Sequence, residues 1–272
     1  DKLKLFDERR IICCPICNFG MIEKDVDVDV LHNYYSSEYA GKARKQVETL
    51  TKHRDLRTSA WTDLRSISQL ALISQFIDIK SELTVLEIGP GIGNFLFTMM
   101  QAGFVGKHVA FEPQQQAHVF LKQLGSTVES SSFCMNTAKK WENSIDLVVM
   151  SHSLEHFNPG VISEIMETVR LILKKDGIFF CEVPNADLAR YPNAGEMVVP
   201  HLSFFSKASL EHFTKNAKMA PLFINTCGDP QFGKETDKEI AELERMGCFI
   251  FDLDESTDIL RNRHYHNFLQ KE

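Results

Sequence analysis

A chain of 272 residues, 43% of them hydrophobic, can bury the core of one large domain, or of one domain with a small appendage. The net charge is −7 and no basic stripe of the kind a nucleic-acid binder presents is visible: the basic runs KARKQ and KHRDLR lie among acids and read as solvated helical faces, so no nucleic-acid partner is expected. No apolar run approaches the roughly 18 residues of a membrane span, no signal peptide is expected, and seven scattered cysteines, an odd count, fit a reduced cytoplasmic protein with no membrane partner.

Residues 1 to 40 read as irregular, with CCPIC, the acidic alternation EKDVDVDV and the aromatic cluster HNYYSSEY. Cys14 and Cys17 form half of a tetrahedral zinc site, with Cys13 beside them and His32 as a conceivable third ligand. A fourth ligand is missing and the next cysteine is Cys134, so the expectation is a degenerate knuckle without metal. From 41 to 80 the pattern turns helical, with Leu64, Ile67, Leu70, Ala71 and Ser74 spaced by threes and fours along one face.

After Ser81 short apolar runs alternate with helical stretches. LTVLEIG, HVAFEP, STVESSSF, IDLVVMS and GIFFCEVP read as strands, and APLFINTCG and CFIFDLD as the last two. Helices are expected over 93–103, 114–124, 159–174 and 206–217. The polar segment 228–247 reads as a mostly helical insertion, and His264 and His266 in HYH as exposed helix residues. The pattern predicts an α/β fold: a doubly wound, mostly parallel seven-stranded sheet over 59–272, preceded by a 1–58 extension holding the knuckle-like segment and a lid helix.

The first strand ends in VLEIGPGIGNF, where Gly89, Gly91 and Gly93 alternate before a helix. Ligands of open α/β sheets bind beyond the strands' carboxyl ends, and glycine lets a ligand lie against the backbone. The spacing G-x-G-x-G departs from the G-x-G-x-x-G of dinucleotide folds, and Glu112, in FEP about 20 residues on, is placed to accept two hydrogen bonds from a ribose diol. Together these features point to a bound nucleoside.

VLEIGPGIGNF, FEP, IDLVVMSHSLEHF and LKKDGIFFCEVPN in this order resemble the motifs of class I S-adenosylmethionine-dependent methyltransferases, over residues 60 to 225. The resemblance implies S-adenosylmethionine as cofactor and S-adenosylhomocysteine as product. It implies that Gly89, Gly91 and Gly93 line the methionine moiety and that Glu87 reaches its amino-acid end. Glu112, followed by Pro113, would hold the ribose, Asn136 would serve the adenine, and Ser151 and His152 would flank the sulfur. EVPN followed by HLSFFSKASLEHF is similar to the branch acting on sugars, quinones and natural-product intermediates, some of whose members carry an N-terminal zinc module and a YY…Y stretch. Tyr34, Tyr35 and Tyr39 then become lid residues over the cofactor, or core packing residues.

A hydroxyl nucleophile benefits from a base, for which His201 and His152 rank level, with His156 third and Glu155 behind them. His156 and Glu155 fit equally well as helix-capping residues. The expected activity is methyl transfer to a small-molecule acceptor, a hydroxyl of a sugar or secondary metabolite, by a monomer or homodimer. The rival readings are a catalytically weak cofactor-binding interaction domain of a larger assembly, a protein methyltransferase and a nicotinamide oxidoreductase. The glycine spacing and SHSLEHF argue against the last.

Overall fold

The structure, a computed structural model, describes residues 10–38, 64–186, 201–227 and 264–271. In chain order its strands and helices are β1 (Ile11–Cys13), β2 (Gly20–Ile22), α1 (Val28–Asn33), α2 (Leu64–Ile73), β3 (Thr84–Ile88), α3 (Asn94–Gln101), β4 (Lys107–Phe111), α4 (His118–Gln123) and β5 (Thr127–Glu129). They continue as α5 (Met135–Ala138), β6 (Ile145–Ser151), α6 (Ile162–Ile172), β7 (Leu173–Pro184), β8 (Ser203–Phe204), α7 (Lys207–Asn216), β9 (Met219–Cys227) and β10 (His264–Lys271).

Seven strands form the main sheet in the order β5-β4-β3-β6-β7-β10-β9. The first five run parallel, and β10 pairs antiparallel with both β7 and β9. The order reverses between β3 and β6, which puts the loops after these two strands at the crevice where such sheets bind ligands. Side chains alternate across the sheet. Val148 and Met150 of β6 join the core beneath α6, where Ile162, Ile165, Met166, Val169 and Ile172 recur at helical spacing. Leu147 and Val149 join the opposite core with Leu70 and Ile73 of α2 and Phe95 and Met99 of α3. Because both faces are covered, β6 and the second half of β7 are nearly unbroken apolar runs.

The buried stripe of α2 differs from the expected one. It contains Ser66, Gln69, Leu70 and Ile73, while Ala71 is half-buried and Ser74 exposed. The helix is turned so that the Gln69 amide donates to the Ser151 hydroxyl at 2.7 Å, a polar pairing that apolar periodicity does not register. His264 and His266 belong to a strand rather than a helix: β10 is paired on both edges, His264 opposite Pro184 on one side and Cys227 on the other. Backbone pairing with two neighbours decides a run whose own pattern is ambiguous. The expected strand CFIFDLD and the 228–247 insertion lie outside the described residues.

The N-terminal hairpin is built into this body. β1 pairs with β2, and β2 pairs with β8, Gly20 opposite Phe204 and Met21 opposite Ser203. Phe19 sits 5.2 Å from the Phe205 ring and 5.0 Å from that of Phe213. Asn158 holds both backbone groups of Val26: its Oδ1 accepts from the Val26 N–H at 2.9 Å and its Nδ2 donates to the Val26 carbonyl at 2.6 Å. The hairpin thus docks against the segments that follow β6 and β7 and is tied to the residues next to His201.

Candidate active site

The three glycines of the loop after β3 have different reasons to be glycine. All have positive φ, +70° at Gly89, +58° at Gly91 and +89° at Gly93, the left-handed region that side chains disfavour. A Cβ on Gly89 would lie 2.3 Å from the Ser153 hydroxyl, which donates to the Ile88 carbonyl at 2.9 Å. A Cβ on Gly93 would meet Leu121 at 2.9 Å and Leu124 at 3.0 Å. A Cβ on Gly91 would meet nothing within 4 Å. Two of the glycines therefore serve packing, and Gly91 alone borders open space where a ligand can approach the backbone.

Glu112, just past the end of β4, reaches back under this loop. Its Oε2 accepts from the Gly91 N–H at 2.8 Å and its Oε1 from the Gln114 N–H at 2.8 Å. Burial pushes its pKa up to about 7; the two N–H groups pull it down, and the charge of Glu87 adds to the rise. Glu87, buried in β3, faces sideways: its Oε2 lies 3.3 Å from Nε2 of His108 on β4, whose Nδ1 is 2.8 Å from the Ser126 hydroxyl. Pro113 is half-buried beside Glu112, and Asn136 is exposed on α5.

The second half of the site gathers at the ends of β6 and β7. Ser151 ends β6, opposite Glu182 of β7. His152 has φ +51°, an uncommon conformation for a residue with a side chain and one that concentrates at functional sites. Its N–H donates to the Glu182 carbonyl at 2.9 Å, its Nε2 donates to Glu182 Oε1 at 2.9 Å, and its Nδ1 lies 3.4 Å from Glu155 Oε1. Burial pulls the His152 pKa down, but the hydrogen bonds and charges of Glu155 and Glu182 outweigh it and raise it to about 9. His152 is therefore an imidazolium at neutral pH and already holds the proton a base would have to take. Arg65 adds a second cation, its Nε 3.7 Å from Glu182 Oε1.

Glu155 is 1% exposed, and its Oε1 also lies 4.0 Å from Nε2 of His156 and 3.8 Å from Nε2 of His201. Burial would raise its pKa, yet the His152 hydrogen bond and the three nearby imidazoles hold it down at about 2. His201 goes the other way: burial, with the neighbouring His156 and His152, lowers its pKa to about 4 against the pull of Glu155. It is a neutral imidazole throughout the physiological range, the form that can accept a proton. His156 packs edge-on to His201, ring centroids 5.0 Å apart, and to Tyr35, 5.5 Å away.

The structure thus brings together His152, His156, His201 and Glu155, and places Gly91 over Glu112. Tyr39 lies outside the described residues. His32 faces Ser132, 3.4 Å from its hydroxyl. Among the described residues Cys14 and Cys17 belong to no group of three metal-capable side chains. Glu182, Ser153, Gln69 and Arg65 escaped the sequence reading. Glu182 alone had a signal there, an acid inside the apolar run GIFFCEVP of a central strand.

The residues present fit an adenosyl cofactor: an open backbone cradle at Gly91, with a buried carboxylate beneath it. Comparison with curated proteins found no match. Among solved structures the fold is shared with a SAM dependent methyltransferase from Archaeoglobus fulgidus, at 17% identity and a TM-score of 0.51, covering 76% of this chain and 94% of that one. It is shared too with the 1,6-didemethyltoxoflavin-N1-methyltransferase of Burkholderia thailandensis, at 14% identity and a TM-score of 0.51, covering 95% of this chain and 97% of that one. Residues 55–218, more than half of the chain, match the family described as a methyltransferase domain, and the chain belongs to it as a class I S-adenosylmethionine-dependent methyltransferase.

Proposed function

We propose that the acceptor is a small molecule, methylated on a hydroxyl of the kind carried by sugars and secondary metabolites. The observation behind this reading is the position of the half-buried His201 imidazole, 3.8 Å from the Glu155 carboxylate at the ends of the strands, where a base can reach a hydroxyl proton. The net charge of −7 supports an acceptor other than nucleic acid. The reading keeps a cytoplasmic monomer or homodimer with no membrane partner.

S-adenosylmethionine, when bound, supplies a methyl group already activated by its sulfonium. The chain's own residues supply orientation and proton handling. Gly91 leaves room against the backbone, and Glu112 accepts from the ribose hydroxyls with the lone pairs its two amide partners leave over. Glu87 would meet the amino-acid end through the oxygen not facing His108. Ser151 and His152 flank the sulfur, with Pro113 and Asn136 toward the adenosine and Tyr39 as part of the lid. His201 takes the acceptor proton, Glu155 stabilises the resulting imidazolium, and His152 stays protonated between its two carboxylates. His156, held between Tyr35 and His201, walls the acceptor side.

The test is incubation with labelled S-adenosylmethionine and a panel of sugar, phenolic and polyketide-like alcohols, with amines and peptides alongside, followed by mass spectrometry. Methylated alcohols are the expected products. Methylation confined to amines or peptides would refute the hydroxyl assignment.

A further inference from the structure

Glu155, His156 and His201 stand out a second time. They are the group of three metal-capable side chains among the described residues whose ligand atoms all lie within 4.8 Å of one another. Within this group the nitrogens nearest Glu155 Oε1 are Nε2 of His201 at 3.8 Å and Nε2 of His156 at 4.0 Å. Neither oxygen of Glu155 has a hydrogen-bond partner of good geometry among the described residues, although the carboxylate is buried. Its nearest contact, His152 Nδ1 at 3.4 Å, leaves both oxygens with acceptor capacity that a further ligand can use. His152 answers part of the charge through Nδ1 at 3.4 Å, while its Nε2 is held more closely by Glu182 at 2.9 Å.

We propose that Glu155, His156 and His201 bind one divalent transition-metal ion of the imidazole-favouring kind, such as zinc or cobalt(II). Two histidines and one carboxylate with the remaining positions open is a donor set such ions take. Metal–ligand bonds of about 2.0–2.2 Å would set the ligand atoms roughly 3–3.5 Å apart, against separations within 4.8 Å here. The His156 and His201 side chains remain 17% and 11% exposed, which leaves a way in for water or an acceptor oxygen. The site is distinct from Cys14 and Cys17, which lie in the N-terminal hairpin.

This deepens the hydroxyl-methylation reading and rests on it for the ion's role. An acceptor hydroxyl on the ion ionises more readily, its proton leaving to water, and no oxidation state changes. In the loaded protein His201 is a ligand and the ion takes over the ionisation of the acceptor; in the metal-free protein His201 remains the base.

The test uses the full chain, stripped with chelator, dialysed and titrated with cobalt(II) by calorimetry and visible absorption, while S-adenosylhomocysteine affinity is measured in parallel. One equivalent is expected, with visible bands but without the intense near-ultraviolet band of thiolate ligation, and it should persist in a Cys14→Ser/Cys17→Ser variant. Glu155→Gln and His156→Ala should each weaken cobalt binding more than about 100-fold, beyond the range for outer-shell partners. Retained S-adenosylhomocysteine binding would show that each variant is folded. Undiminished cobalt binding in a His156→Ala/His201→Ala variant, or no cobalt beyond what the cysteines hold, would overturn the site. Cobalt bound here without S-adenosylhomocysteine binding would keep the metal site and remove the methyl-transfer reading; the reverse pattern would do the opposite.

Discussion

His152 Nε2 donates to Glu182 Oε1 at 2.9 Å, bridging the ends of two parallel strands with one proton. Its pKa is raised to about 9 from an ordinary 6.5, so the stability this proton contributes is fully present below about pH 6.5 and is lost as pH rises through about 9. The shift corresponds to ~3 kcal/mol at most. Denaturant unfolding at pH 6 and pH 10 should show His152→Gln clearly less stable than wild type at the lower pH and nearly equal at the higher. A difference that does not change with pH would mean that His152 is neutral in the folded protein.

Glu112 titrates in the opposite sense for function. Its carboxyl is neutral below about pH 7, and a neutral carboxyl is a weaker acceptor for ribose hydroxyls. S-adenosylhomocysteine affinity should therefore rise between pH 6 and pH 8 in wild type and stay flat in Glu112→Gln. Glu112→Ala should lose about 1.5–3 kcal/mol of binding at pH 8. Wild-type affinity in both variants would remove Glu112 from the ribose.

The loop glycines can be separated by substitution. Gly91→Ala faces open space and should cost about 1–2 kcal/mol of stability for its positive φ, while binding of S-adenosylhomocysteine drops sharply. Gly89→Ala collides with Ser153 and should show its main effect in thermal unfolding. Gly91→Ala binding within threefold of wild type would place the ligand elsewhere.

Asn158 is the link between the N-terminal hairpin and the active-site loops. Asn158→Ala removes two hydrogen bonds and strands the Val26 N–H and carbonyl in a buried position, for a cost of about 2–4 kcal/mol. Hydrogen exchange should speed up over 19–26. Unchanged exchange there would show that the hairpin is held by its apolar contacts alone.

His201 and His152 should part company in kinetics. With an acceptor in hand, His201→Ala should lower turnover by roughly 10²–10⁴ and spare cofactor affinity, while His152→Ala damages both. Near-normal turnover in His201→Ala would leave it a packing residue.

The strands and helices of the sheet were legible because their signals are local: unbroken apolar runs in IDLVVMS and GIFFCEVP, helical spacing in 159–174, alternating glycines before a helix. Glu112 was legible as a candidate ribose acceptor because strand length and turn length fix its distance along the chain, but its hydrogen bond to the Gly91 N–H was not. Other features depend on groups far apart in sequence. Ser153 decides that Gly89 serves packing, Ser151 decides which face α2 buries, and two neighbouring strands decide that HYHNFLQK is extended. The assembly of Glu155 with His201 belongs to the tertiary structure as well, since only the folded sheet carries the ends of β6 and β7 side by side. The protonation of His152, Glu155 and His201 has the same origin. A histidine's own pKa favours neither state strongly near neutrality, so burial and the nearest carboxylate choose between them, leaving His152 charged and His201 neutral.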